Sequence, residues 1–82
     1  MQEKKIILSQ LKIGQSAYVV GITGNLKVKT RLMELGFSKG TLVRILNISS
    51  LKKSFLIEIR GFVLALRESA VNMIEVILSK DS

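Results

Sequence analysis

The segment Arg31-Leu32-Met33-Glu34-Leu35-Gly36-Phe37-Ser38-Lys39-Gly40-Thr41 constrains the fold of this chain more than any other, because one periodicity ends inside it and another begins. Before Gly36, the apolar residues Val28, Leu32 and Leu35 recur at helical spacing while Lys27, Arg31 and Glu34 fall on another face. That pattern predicts a short amphipathic helix over residues 27–35. Gly36 follows the last periodic leucine, where a helix can close on a left-handed residue that glycine adopts without steric cost. Phe37 is then expected to fold back onto the helix. Ser38-Lys39-Gly40 supplies turn chemistry, and the β-branched, apolar run 41–48 has no helical face. The helix hands over to a sheet.

Eighty-two residues make one domain, 1–82, with its core expected at about 8–78 and frayed ends at 1–5 and 79–82. The chain has no cysteine and no histidine. That removes disulfide staples, thiolate chemistry, the usual zinc and haem ligands and imidazole acid-base catalysis. The apolar run 6–8 is too short for a signal sequence, and the run 62–66 is about a quarter of a membrane span. A cytoplasmic chain without membrane insertion is the reading. A net charge of +7 points to an acidic partner, whether nucleic acid, an anionic membrane face or an acidic protein surface. Solubility explains it equally well, since a chain that is 48% apolar needs charge on its outside.

Taken in order, residues 8–14 predict one helical turn closing on Gly14, with Leu8 and Leu11 able to plug the end of a barrel. A first strand follows over 16–23, with Tyr18, Val20 and Ile22 on one side and Ala17, Val19 and Gly21 on the other. Gly24 and Asn25 break it, and either Thr23 or Asn25 can cap the helix after them. A second strand is expected over 42–49, with Leu42, Leu46 and Ile48 opposing Val43 and Ile45. A basic hairpin connection carries Lys52 and Lys53. The third strand buries Phe55, Ile57 and Ile59 and wets Glu58 and Arg60. After the turn at Gly61 come a fourth strand, 62–67, a single helical turn, 68–72, and a last strand, 73–78. Short strands punctuated by glycine predict a bent antiparallel sheet closing into a partly open barrel. Its surplus apolar positions need a cover.

Gly36 and Gly40 resemble a phosphate loop only superficially. No Gly-Lys-Ser/Thr follows them, and the helix precedes them, so a helix stop and a turn are the reading. The aromatics Tyr18, Phe37, Phe55 and Phe62 are read as core residues instead of stacking platforms. No nucleophile has a base beside it in sequence, so no enzyme and no cofactor are expected.

The opening Leu8-Ser9-Gln10-Leu11-Lys12-Ile13-Gly14-Gln15, the central Arg31 to Thr41 segment, Ile57-Glu58-Ile59-Arg60-Gly61, Leu64-Ala65-Leu66-Arg67 with Ala70, and Ile74-Glu75-Val76 together resemble the ferrous iron transport protein A (FeoA) family. The resemblance covers the chain from about Leu8 to Val76. It implies a mainly β, SH3-like small five-stranded antiparallel barrel, with one short helix inserted after strand one and single helical turns near the N-terminus and before the last strand. It also implies a cytoplasmic accessory of ferrous iron uptake, held at the inner membrane face by its partner, the FeoB-like permease with a cytoplasmic GTP-binding domain. Similar domains end iron-dependent repressors, but 82 residues leave no room for a helix-turn-helix domain.

The family is also associated with transition-metal binding. A site here would rest on Glu3, Glu34, Glu58, Glu68, Glu75, Asp81 and carbonyls, and no two of those carboxylates share ligand spacing on one face. No metal site is expected. The partner surface is expected at Leu46, Ile48 and Leu56, rimmed by Lys29, Arg31, Lys52, Lys53 and Arg60; Gly14, Gly36, Gly40 and Gly61 are structural turns. An acidic protein surface is favoured over nucleic acid, because four aromatics are few for a stacking sheet. Apolar strand faces also allow weak self-association. The alternative is a basic small-barrel nucleic-acid-binding protein.

Overall fold

Alternation of side chains places the strands, and the computed structural model, which describes residues 4–80, joins them in one six-stranded antiparallel sheet ordered β1-β6-β2-β3-β4-β5. The elements are β1 (Lys5–Ile7), β2 (Ser16–Ile22), α1 (Leu26–Glu34), β3 (Leu42–Ile48), β4 (Ser54–Ile59), β5 (Phe62–Arg67), α2 (Glu68–Val71) and β6 (Ile74–Leu78). Short 3-10 turns at Leu8–Gln10 and Ser50–Lys52 complete them. The expected five strands become six because residues 5–7 pair with β6, Ile6 opposite Val76. A three-residue strand has no periodicity to announce it. The ends are also firmer than expected. Lys5 is in β1, and Ser79 is buried with its N–H donating to the Ser16 carbonyl at 2.9 Å. Of the rest of the predicted frayed ends, Lys4 and Lys80 are exposed and outside any helix or strand, and 1–3 and 81–82 lie outside the described residues.

The core is apolar and is fed from every element except the Ser50–Lys52 turn. Leu8 and Leu11 do plug one end, fully or almost fully buried where the first 3-10 turn packs on α2 and β6. Phe55, Ile57 and Ile59 have no exposed surface, as their alternation predicts. Two bulges change faces elsewhere, since an extra residue in one strand turns everything beyond it over. The bulge between Val19 and Gly21 in β2 sends Ile22 to the core side opposite the buried Ile74, while Tyr18 stays outside. The bulge between Ile45 and Asn47 in β3 does the same for Ile48, which pairs with the buried Phe55. Ile48 is therefore a core-side residue, not a companion of Leu42 on the outer face.

The helix begins where Asn25 Oδ1 accepts from the Val28 N–H at 2.9 Å, which settles the cap in favour of Asn25 over Thr23. It ends in a Schellman arrangement: Gly36 N–H donates to the Met33 carbonyl at 3.0 Å and Phe37 N–H to the Leu32 carbonyl at 3.1 Å. Gly36 has φ +114°, and Leu32 and Phe37 meet in the core. The β4–β5 hairpin turns on Arg60 and Gly61, both at positive φ, as a two-residue loop matched to strand twist requires.

Candidate functional site

Helix α1 is anchored at both ends and little buried between them. At its entry, the Thr23 N–H and hydroxyl both donate to the Met73 carbonyl, at 2.7 and 3.3 Å, tying it to the segment before β6. At its exit, Phe37 is in the core and the stem of Arg60 lies over Gly36, its Cδ 2.9 Å from where a Cβ would stand. Between these anchors only Leu32 is fully buried. Leu35, which helical spacing puts on the apolar stripe, is 37% exposed. The stripe is wider than the core it faces.

The uncovered part of that stripe forms one wall of a groove of about 450 Å³. Val28 and Leu32 come from α1 and Leu35 from its C-cap, and Leu66, Ala70 and Met73 face them from β5, α2 and the segment beyond. Three cations, Lys27, Arg31 and Arg67, line the groove, and no carboxylate does. Lys27 and Arg31 are four apart on one helical face, so their shared direction follows from the helix alone. Arg67 comes from the end of β5, thirty-six residues after Arg31 by their numbers, and nothing in the sequence joins it to the helix.

The residues proposed from sequence do not assemble as one patch. Leu56 is on the outer face opposite Asn47 and Ala65, Leu46 is at the β3 bulge, and Ile48 faces the core. Arg31 lines the groove, but Lys29 sits about 200° around the helix from it, near Met33 and Lys39. Lys52 and Lys53 belong to the β3–β4 connection and Arg60 to the opposite end of β4, roughly 20 Å away at strand rise. Gly14, Gly36, Gly40 and Gly61 all have positive φ, as structural turns should. The core-aromatic reading holds for Phe37 and Phe55, but Tyr18 and Phe62 are 44% and 46% exposed. Those two stand on β2 and β5, separated by β3 and β4, and make no common stacking platform.

The donor set does not fit a transition metal. The chain has no His or Cys, and among the described residues no three His, Cys, Asp or Glu side chains group together. Glu3 and Asp81 lie outside the described residues. No helix among the described residues is long and apolar enough to cross a membrane.

The sequence pattern of the FeoA domain matches residues 6–78. No curated protein sequence matches significantly. Among solved structures, the FeoA-like protein from Clostridium acetobutylicum is 28% identical, with 95% of this chain and 90% of that one covered and a TM-score of 0.84. FeoA from Stenotrophomonas maltophilia in complex with zinc, described as a prokaryotic SH3 domain protein, is 31% identical over 87% of this chain and 88% of that one, with a TM-score of 0.76. A manganese-dependent transcriptional repressor shares the fold at 16% identity, TM-score 0.85, over 44% of its own length. With the sheet, the inserted helix and the matched segment in agreement, the chain belongs to the FeoA domain family.

Proposed function

We propose that this chain is a non-enzymatic, cytoplasmic accessory of ferrous iron uptake that docks on the cytoplasmic GTP-binding domain of a FeoB-type permease. The observation that carries the reading is a largely apolar groove whose charged lining residues are all cations, on a chain with no cysteine or histidine. A binding surface needs a desolvatable centre and a polar rim, and the groove has both. Catalysis needs polar groups held in a dry site, yet the only buried polar residue among those described is Ser79. The Stenotrophomonas maltophilia protein is described as a candidate activating factor for bacterial ferrous iron transport, which supports the same role here. The zinc in that complex is not part of this reading, since this chain has no His or Cys and no three candidate ligand side chains group together among the described residues.

A titration of the chain against the permease's GTP-binding domain and against single-stranded RNA, each at two salt concentrations, tests the reading. Saturable binding to the protein domain is expected, with an association rate that falls as salt rises. Sequence-tolerant RNA binding that falls roughly one log unit per log unit of salt for each phosphate neutralised, with no permease binding, overturns it.

A further inference from the structure

We infer that the groove between α1 and β5 takes an extended, acidic peptide segment, which adds to the sheet as a seventh strand along the open edge of β5. The inference deepens the docking reading and rests on it for the biological partner, but its geometry stands alone. β5 is the last strand of the sheet, and among the described residues nothing pairs with its outer edge. In the two-residue β4–β5 hairpin, the flanking pair Ile59 and Phe62 exchanges both backbone hydrogen bonds, and bonded pairs then alternate. Leu64 and Leu66 therefore bond back to β4. Val63, Ala65 and Arg67 direct their N–H and C=O groups to the open edge.

Such an edge is a template for another strand, and natural proteins usually blunt it with charge, proline or a cover. Here the exposed edge residues Val63 and Ala65 are uncharged, the one charged edge residue, Arg67, stands at the strand's end, and there is no proline in the chain. The helix that could cover the edge instead stands off it and forms the groove's opposite wall. A strand beside β5, walled by a helix, is one of the recurring ways in which proteins bind peptides: main-chain hydrogen bonds supply affinity and alternate side-chain pockets supply selectivity.

Charge selects the occupant. Lys27, Arg31 and Arg67 face the groove with no carboxylate among its lining residues, so the segment that fits carries Asp or Glu toward the rim and apolar side chains toward Leu35, Leu66 and Met73. A second copy of this chain is disfavoured, because two such rims on chains of charge +7 would face each other.

The probe is a fluorescein-labelled peptide alternating Glu with Val and Leu over eight residues, compared with the same peptide N-methylated at alternate backbone positions. The parent peptide should bind and slow amide exchange at Val63 and Ala65. The N-methylated peptide should bind at least about tenfold more weakly, since it cannot complete the ladder. Ala65→Pro removes the edge-facing N–H of residue 65 and should abolish binding, with its effect on β4 pairing read in the same sample from the β4 amide protection, which should persist. Arg31→Glu with Arg67→Glu should weaken the acidic peptide and restore binding of a lysine-substituted one. Equal binding of the two backbones, or protection elsewhere than β5, overturns the inference. A single-stranded DNA oligomer that displaces the peptide and protects the same amides also overturns it. Permease binding untouched by Ala65→Pro would sink the strand-addition mode and leave the docking role standing; peptide binding without permease binding would do the reverse.

Discussion

At one edge of the sheet, β1 is three residues long and carries Lys5 next to Lys4; at the other, β5 runs for six residues with Val63 and Ala65 exposed. The first is how a protein closes an edge to further pairing: a short strand marked by lysine. The second lacks both devices and lies beside a helix that is held at its two ends but not laid onto the strand. Sheet edges are costly to leave open, so the asymmetry teaches that one edge is closed for stability and the other kept for binding.

The sharpest way to break that contrast is to remove the anchor that sets the helix wall. Phe37→Ala empties a fully buried site at the helix exit and should destabilise by about 3–5 kcal/mol, read by urea denaturation. The groove should be lost with it. Gly36→Ala acts on the same junction more mildly. With φ at +114°, a Cβ should cost about 1 kcal/mol, and more with valine, while the flexible Arg60 stem yields. A stability unchanged by either substitution would show that the exit of α1 is not what holds the wall.

Charge reversals then separate the groove from the rest of the basic surface. Lys27→Glu with Arg67→Glu should leave the denaturation midpoint nearly unchanged and lower permease affinity by about tenfold, mainly through association. Lys52→Glu with Lys53→Glu, in the β3–β4 connection, should lower it by less than the groove pair does, because neither residue lines the groove, although the Lys53 carbonyl accepts from the Glu68 N–H next to Arg67. Equal losses from the two pairs would move the docking surface away from the groove.

Much of the fold was legible because local chemistry decided it. Gly36 after a periodic leucine specified the helix stop, and the alternation of Phe55, Ile57 and Ile59 specified an inward face that the structure keeps. Where a strand's facing depends on a bulge, alternation misleads: one extra residue near Leu46 turned Ile48 inward and dissolved the expected Leu46, Ile48 and Leu56 patch. The candidate site was less legible for a different reason. Lys27, Arg31 and Leu35 announce a helix with an apolar and a basic side, but only the tertiary fold brings Arg67 and Leu66 opposite them and leaves Leu35 uncovered. Similarly, three residues at 5–7 become a strand only because β6 offers them an edge.

Amide hydrogen exchange across the chain, with and without the permease's cytoplasmic GTP-binding domain, compares the two edges within one sample. The account predicts new protection at Val63, Ala65 and the groove face of α1, with Lys5 to Ile7 unchanged. Protection that appears at β1 or in the β3–β4 connection, while β5 exchanges as before, would contradict it.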